Sequence, residues 1–218
     1  MSKMHMANVK CPKCGKESEF TVWDSVNTQL DPSFKEKART GELFRFTCPD
    51  CGSVTSVMFQ CLYHQMEDQV MIYFIPNGPV DEAVEVFTKK EGMLPMLDVG
   101  YTKRIVTSYN DFLEKLKILD ENLDDKALEI MKVIMLGAIG QNEPGLAIKA
   151  MYLDKDKDGR LFFAILKEDG GWVTTTFSKN LYDSVTATFK DIISEDKEVI
   201  IDHDWAMRCM MRDSAQGE

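Results

Sequence analysis

Four of the six cysteines form two C-x-x-C pairs separated by 33 residues. They are Cys11, Cys14, Cys48 and Cys51. In each pair a proline follows the first cysteine and a glycine follows the second. Proline stiffens the turn, and glycine allows a positive φ, so that backbone N–H groups can point towards the sulfurs. Two cysteines on such a turn can direct both sulfurs at one tetrahedral ion, at about 2.3 Å. The pairs therefore predict a single metal site with four thiolate ligands.

Zinc is the metal that this donor set favours, and its role is predicted to be structural. Four protein ligands close the tetrahedral coordination sphere and leave no position for a reactive water. Iron fits the same four thiolates and stays open as an alternative. The chain contains no G-x-S-x-G, glycine-rich phosphate loop or H-E-x-x-H motif, so the sequence indicates no catalytic residue.

A dithiol redox centre is the main competing interpretation of the cysteines, because a C-x-x-C pair can hold a low-pKa thiol at the start of a helix. The residues after Cys51 have the pattern of a strand instead, from Ser53 to Phe59. The same motif also occurs twice. Both observations favour metal binding over redox chemistry.

The net charge of −10 is unevenly distributed along the chain. Residues 1–60 carry eight Lys and Arg against seven Asp and Glu, and the other 158 residues carry eighteen against twenty-nine. Nucleic-acid binding needs a basic surface to neutralise phosphates. Only Lys10, Lys13 and Lys16 cluster, at the first cysteine pair. The charge pattern therefore disfavours nucleic acid as a partner and limits it to the metal module.

The segments around the cysteines are predicted to be short strands with a helix inserted between the pairs. Strands are expected over residues 17–26, 42–47 and 53–60. Asp31 and Pro32 are typical of a helix start, and Gly41 of a helix end. Residues 1–6 are expected to be a flexible start.

Several of these stretches together resemble the CpXC-domain proteins of bacteria and archaea. The resemblance rests on the paired Cys-Pro-x-Cys motifs, V-N-T-Q-L-D-P at 26–32, G-E-L-F at 41–44 and L-Y-H at 62–64. It covers roughly residues 6–122 and implies that the four paired cysteines are the residues that define the family. The resemblance implies neither a biochemical role nor catalytic residues.

Beyond the cysteine module the pattern alternates between strands and amphipathic helices. Strands are predicted at 69–75 and 103–107, with helices at 81–90 and from about residue 110. Residues 125–139 form a helix that is apolar on all sides, which predicts burial within the chain or in a subunit interface. The glycines from 137 to 145 suggest a hinge.

The C-terminal part is predicted to be an antiparallel meander with helices. Strands at 146–153, 161–167 and 172–177 are joined by hairpin turns, followed by a helix at 180–193, a strand at 198–201 and a helix at 204–212. The fold class is therefore α+β, in two domains. Residues 1–122 form a zinc-ribbon-like antiparallel sheet with a helical insertion, and residues 123–218 form the meander covered by helices.

Three histidines and one acidic loop are further candidates for chemistry. His203 lies between Asp202 and Asp204 and could act as an oriented general base, although a helix cap with a surface histidine is the preferred interpretation. His64 and His5 could supplement the metal site, but four cysteines already fill it. The loop 154–159 has the spacing of an EF-hand, yet its twelfth position is Ile165 and strands flank it, so a charged hairpin turn is favoured over calcium.

Composition and the lengths of the apolar runs indicate the cellular compartment. The longest apolar run is too short to span a membrane, and the start lacks the apolar region of a signal peptide. With four cysteines assigned to metal and Cys61 and Cys209 in apolar settings, we expect a cytoplasmic protein.

The sequence favours a non-catalytic binding or adaptor protein whose ligand is a protein partner or a second copy. The alternatives are a nucleic-acid-binding zinc ribbon, an enzyme with a pocket between the domains, and a thiol redox protein.

Overall fold

The computed structural model describes residues 2–88 and 100–216, and the chain divides into two compact units, Met1–Leu113 and Glu114–Glu218. The division lies inside a helix, Tyr109–Asp120. The domain boundary expected after residue 122 stays a prediction.

The first unit contains a long sheet, a small hairpin and short helices. Its strands are β1 (Lys3–Lys10), β2 (Glu17–Asn27), β3 (Arg45–Thr47), β4 (Val54–Ser56), β5 (Cys61–Gln65), β6 (Val70–Phe74) and β7 (Thr102–Val106). Its helices are α1 (Ser33–Arg39), α2 (Asp81–Thr88) and the start of α3 (Tyr109–Asp120). The helix predicted at 81–90 is thus found, and its last two residues lie outside the described part of the chain.

The five-stranded sheet has the order β1-β2-β5-β6-β7 and is mixed, which corrects the prediction of an antiparallel sheet. β2 runs parallel to β5, and β6 runs parallel to β7. A parallel pair needs a long crossover connection. Residues 28–60 supply one, because they contain α1 and the β3–β4 hairpin. Sequence pattern identifies strands, but it does not say which distant strand each will join.

Two predicted strands are shorter than expected and one segment is more ordered. Residues 42–44 form a 3-10 turn after Gly41, whose φ is 72°, so β3 begins only at Arg45. β4 ends at Ser56. The expected flexible start is instead strand β1, in which His5 pairs with Val22 of β2.

An aromatic cluster forms much of the core of the first unit. Phe44, Phe74 and Phe112 are fully buried. Phe44 meets the other two rings at centroid distances of 5.4 and 5.9 Å, edge to face. Because Phe44 immediately precedes β3, this packing anchors one end of the β3–β4 hairpin to the sheet.

The second unit has the predicted α+β arrangement. Its elements are α4 (Asp125–Asn142), β8 (Ile148–Lys155), β9 (Leu161–Lys167), β10 (Trp172–Thr176), α5 (Lys179–Thr188), α6 (Lys190–Glu195) and α7 (His203–Gln216). The strands form an antiparallel meander in the order β10-β9-β8, as predicted. Residues of α4, α5 and α7 pack on the buried face of this sheet, around Phe163 and Ile165.

Two predictions for the second unit are wrong. The helix predicted at 180–193 is broken at Phe189, which leaves helical geometry and is itself buried. Residues 198–201 are coil, although Val199 and Ile201 are buried. The carbonyl of Ile201 accepts a hydrogen bond from Lys115 Nζ at 3.0 Å, so a lysine supplies the donor that a neighbouring strand would have supplied.

Helix α4 is buried as predicted, but only over its first half, and with charged residues among the apolar ones. The buried residues run from Asp125 to Val133. Gly137 and Gly140 are exposed and helical, so the hinge predicted at these glycines is not found there. Glu114 and Lys115 of α3 and three charged residues of α4 form a buried ion network. Its pairs are Lys115–Asp125 (2.8 Å), Lys115–Glu129 (3.7 Å), Lys132–Glu114 (2.9 Å) and Lys132–Glu129 (2.8 Å).

No helix within residues 2–88 and 100–216 combines the length and the apolar character that crossing a membrane requires.

Candidate metal centre

Each cysteine pair occupies the turn of a β-hairpin. Cys11 and Cys14 lie between β1 and β2, and Cys48 and Cys51 lie between β3 and β4. The same two hydrogen bonds close both turns. The N–H of the first cysteine donates to the carbonyl five residues later, at 2.8 and 2.9 Å, and the glycine N–H donates back to the carbonyl of the first cysteine, at 2.9 and 3.0 Å.

The glycines have the conformation that the motif predicts. The φ angle is 74° at Gly15 and 66° at Gly52. This left-handed region is costly for residues with a Cβ. The glycines therefore let both turns close in the same way and present their sulfurs in equivalent positions.

The structure brings the four sulfurs together across the two hairpins. All four lie within 4.8 Å of one another, and the Cys11–Cys51 and Cys14–Cys48 Sγ distances are both 3.7 Å. A tetrahedron with metal–sulfur bonds of about 2.3 Å has sulfur–sulfur edges of about 3.8 Å. The sulfurs thus have the spacing of a tetrahedral thiolate site. All four cysteines are free of disulfide bonds.

Backbone donors act on the first pair of thiols. The N–H of Cys14, with smaller contributions from other donors, lowers the pKa of Cys11 to about 6. The N–H of Lys16 likewise lowers the pKa of Cys14. There, burial and the three neighbouring cysteines outweigh it and raise the pKa of Cys14 to about 12. Four thiols this close cannot all ionise without a cation to balance them.

Aromatic and charged side chains join the two hairpins around the sulfurs. Phe20 of β2 and Phe46 of β3 meet edge to face, with centroids 5.8 Å apart, and both pack against the cysteine cluster. Lys16, after the first pair, donates to Asp50, inside the second pair, at 2.6 Å. The Asp50 carboxylate raises the pKa of Lys16. The opposite charges near the two pairs are visible in the sequence, but the sequence-based predictions do not include this contact.

A groove of about 340 Å³ adjoins the centre. Its apolar lining includes Phe20 and Trp23 of β2 and Phe46 of β3, and Lys37 and Arg45 add positive charge. Glu19 and Glu42 add negative charge. Because Phe46 lies two residues before Cys48, one wall of the groove belongs to the hairpin that carries the second cysteine pair. The sequence gives no local sign of this groove, since its walls come from separate segments.

The histidines lie outside the cysteine cluster. His64 Nε2 is 3.1 Å from the hydroxyl of Tyr101, and His64 Nδ1 is 3.4 Å from Asn27 Nδ2. Burial lowers the pKa of His64. His5 lies 3.0 Å from Asp24 on the surface of the sheet. The group of metal-ligand spacing found among the described residues contains cysteines alone.

His203 opens α7 as an exposed residue. The carboxylate of Asp202 accepts a hydrogen bond from the N–H of Trp205 at 2.9 Å. This is the contact of a helix N-cap, so the predicted helix cap and the surface position of the histidine are confirmed.

The 154–159 loop is a charged hairpin turn between β8 and β9, as predicted. Asp156 accepts hydrogen bonds from the Asp158 and Arg160 N–H groups, both at 2.9 Å, and from the Arg160 side chain. Asp154 pairs with Lys117 at 2.6 Å. The carboxylates therefore already have cationic and backbone partners.

Part of the chain matches a known protein family. The family model described as CpXC protein matches residues 9–132, which is more than half of the chain. No curated protein and no solved structure matches the chain. The matched region contains both cysteine pairs, the helix between them and the five-stranded sheet from β2 onwards. The protein belongs to the CpXC family.

Proposed function

We propose that the four cysteines bind one structural zinc ion and that the protein is a non-catalytic binding or adaptor protein. The observation that carries the proposal is the spacing of the four sulfurs, which fits a tetrahedral thiolate site. In this proposal the two cysteine hairpins form a zinc ribbon, and α1 is the insertion between them. Iron would use the same sulfurs.

A structural role follows from the donor set and from the hairpin it holds. Zinc with four thiolate ligands has no open position for water or substrate. In small modules the free energy of zinc binding, about 10–16 kcal/mol, is largely free energy of folding. β3 and β4 have three residues each and, among the strands that the structure describes, pair with each other alone. An isolated two-stranded ribbon is marginal in water. Zinc would supply the missing stabilisation.

Metal analysis of the purified protein tests the site. We expect one zinc per chain, and loss of that zinc when Cys48 is replaced in Cys48→Ala. Cys61→Ala is the matched control, because Cys61 is equally buried but lies outside the cluster. It should keep the zinc. Hydrogen exchange should show loss of protection at 45–56 in Cys48→Ala before loss in the five-stranded sheet.

The result that would contradict the proposal is a folded wild-type protein without zinc or iron. A protein that keeps its zinc in Cys48→Ala would also contradict it. A metal-free protein whose Cys11 and Cys14 cycle between dithiol and disulfide would support the redox alternative instead. Iron would be recognised by its visible absorption and by the same metal analysis.

The groove next to the centre supports the binding part of the proposal. It presents aromatic rings together with charged groups of both signs, a composition suited to a protein ligand more than to a phosphate backbone. Of the three clustered lysines, Lys16 is already paired with Asp50. We therefore propose a protein, either another molecule or a second copy, as the partner, and we do not propose nucleic acid.

A further inference from the structure

Strand β10 is an edge strand of the three-stranded sheet in the second unit. Trp172 is 52% exposed and Val173 is 38% exposed. The strand reads W-V-T-T-T and contains no charged residue, proline or register shift. Natural proteins usually guard such an edge with one of these features. The opposite edge strand, β8, is guarded by exposed Lys149 and by a register shift between Ile148 and Ala150.

The backbone of β10 has regularly spaced groups that point away from the sheet. Lys167 N–H donates to the Gly171 carbonyl, which fixes the alternation of hydrogen-bonded pairs between β9 and β10. By this alternation Val173 and Thr175 bond to β9, whereas Trp172, Thr174 and Thr176 turn their N–H and C=O groups outward. Within the described residues, no neighbouring strand lies on this side of β10.

We infer that β10 pairs antiparallel with β10 of a second copy of this chain, about a two-fold axis at Thr174. In this register Thr174 faces its own copy, and Trp172 faces Thr176 of the other molecule. Every outward N–H and C=O of the strand then has a partner. A shift by two residues in either direction would leave one residue of each copy without a partner. The threonine pair at the centre is a favourable cross-strand pair.

The side chains support the same pairing. Trp172 lies on the sheet face opposite the buried core, 6.2 Å from the ring of Tyr152. The partner strand would cover the indole edge and extend this face across both molecules. An isologous interface requires a self-complementary patch, and an uncharged strand centred on threonine meets that requirement.

The flanking charges are complementary in this arrangement. Glu168 and Asp169 precede β10, and Lys179 follows it. Antiparallel pairing places the acidic start of one strand beside the end of the other, where Lys179 lies. Asp169 also pairs with Lys167, and Lys179 with Asp183, within one chain. The interface therefore brings together opposite charges at both ends and no charge at its centre.

Sedimentation equilibrium of the full chain tests the inference, between about 1 μM and 1 mM. A short interface should give a dissociation constant in the micromolar range, so we expect a monomer–dimer equilibrium. Thr174→Pro removes an outward N–H that does not bond to β9, a position where an edge strand tolerates proline. It should weaken dimerisation at least about tenfold, because both central hydrogen bonds are lost.

Charge variants test the two-fold axis itself. Thr174→Lys and Thr174→Glu should each weaken the dimer about threefold to fivefold, since like charges would face each other. An equimolar mixture of the two should dimerise more tightly than either alone. Lys149→Glu, on the opposite edge, is the control and should dimerise like the wild type.

A wild type that stays monomeric at 1 mM would overturn the inference, even if β10 bound a strand of another protein. A mixture of the charge variants that is no tighter than each variant alone would overturn it as well. Zinc content measured in the same samples separates this surface from the metal centre. We expect it to be unchanged in the residue 174 variants, and a failure of dimerisation would leave the zinc proposal standing.

Discussion

The buried ion network of the second unit allows a sharp prediction at Lys132. Its ammonium group lies 2.9 Å from Glu114 and 2.8 Å from Glu129, and the two carboxylate side chains are only 2% and 6% exposed. Glu114 also accepts a hydrogen bond from the N–H of Leu153 at 2.6 Å. The substitution Lys132→Met keeps an unbranched side chain of similar length but removes the charge that both carboxylates share.

The expected loss of stability follows from what remains after the substitution. Lys115 still pairs with Glu129, at 3.7 Å, whereas Glu114 has no other ion pair among the described residues. Removing one partner of a buried pair costs about 3–5 kcal/mol, because it leaves a buried charge without compensation. We therefore expect Lys132→Met to lower the free energy of unfolding at pH 7 by about 3–5 kcal/mol.

The loss should depend on pH, in a direction set by Glu114. Burial raises the pKa of Glu114, and Lys132 opposes that shift. Without Lys132 the pKa rises further, so the folded state holds the proton more tightly than the unfolded chain does. Stability then falls as pH rises from the unfolded value of about 4.3 through the folded value. The deficit of Lys132→Met relative to wild type should therefore be smaller at pH 5 than at pH 7.

Urea unfolding followed by circular dichroism, at pH 5 and pH 7, measures both effects. Lys179→Met is the matched control, since Lys179 forms an exposed pair with Asp183. Such a pair contributes about 0.5 kcal/mol or less. A loss below about 1 kcal/mol for Lys132→Met, or a deficit that is larger at pH 5, would refute the reasoning.

Two further predictions concern backbone conformation and helix capping. Gly41→Ala should destabilise by about 1–3 kcal/mol in thermal unfolding, because φ is 72° and the new methyl would collide with the hydroxyl of Tyr109. Gly137 lies in exposed helix with open space around it. Gly137→Ala should therefore raise the free energy of unfolding by about 0.5–1 kcal/mol. Equal effects of the two glycine substitutions would contradict this account. Asp124→Ala should cost about 1 kcal/mol in urea unfolding, because the Asp124 carboxylate accepts from two N–H groups at the start of α4, and an unchanged midpoint would disprove the cap.

The candidate site was predictable because its determinants are local. A cysteine pair, its proline and its glycine fix the geometry of one turn within five residues, and the repeat of the motif indicates a shared ion. The hairpin turn around Asp156 and the cap at Asp202 were predictable for the same reason. In each case the residue that decides the structure lies within a few positions of the residue it acts on.

The mixed sheet and the ion network depend on contacts between distant segments. Nothing near β2 or β5 specifies that the two strands run parallel, because the crossover through residues 28–60 decides it. The apolar residues of α4 predict a buried helix, but they do not indicate where its charged residues lie. They are buried because Glu114 and Lys115 of α3 supply their partners, and helical periodicity carries no information about a second helix.

The β3–β4 hairpin carries both the second cysteine pair and one wall of the groove. It therefore connects the proposed metal with the proposed binding role. The β3–β4 hairpin is fixed at one end by Phe44, packed in the aromatic core. Its other end carries Cys48 and Cys51, the proposed second anchor, whose sulfurs lie 3.7 Å from those of Cys14 and Cys11. Phe46 lies between these two anchors and lines the groove. A metal at the cysteines would therefore hold one wall of the groove in position without contacting its contents. In this account the metal supports the shape of a binding surface, which is the role that a closed coordination sphere allows.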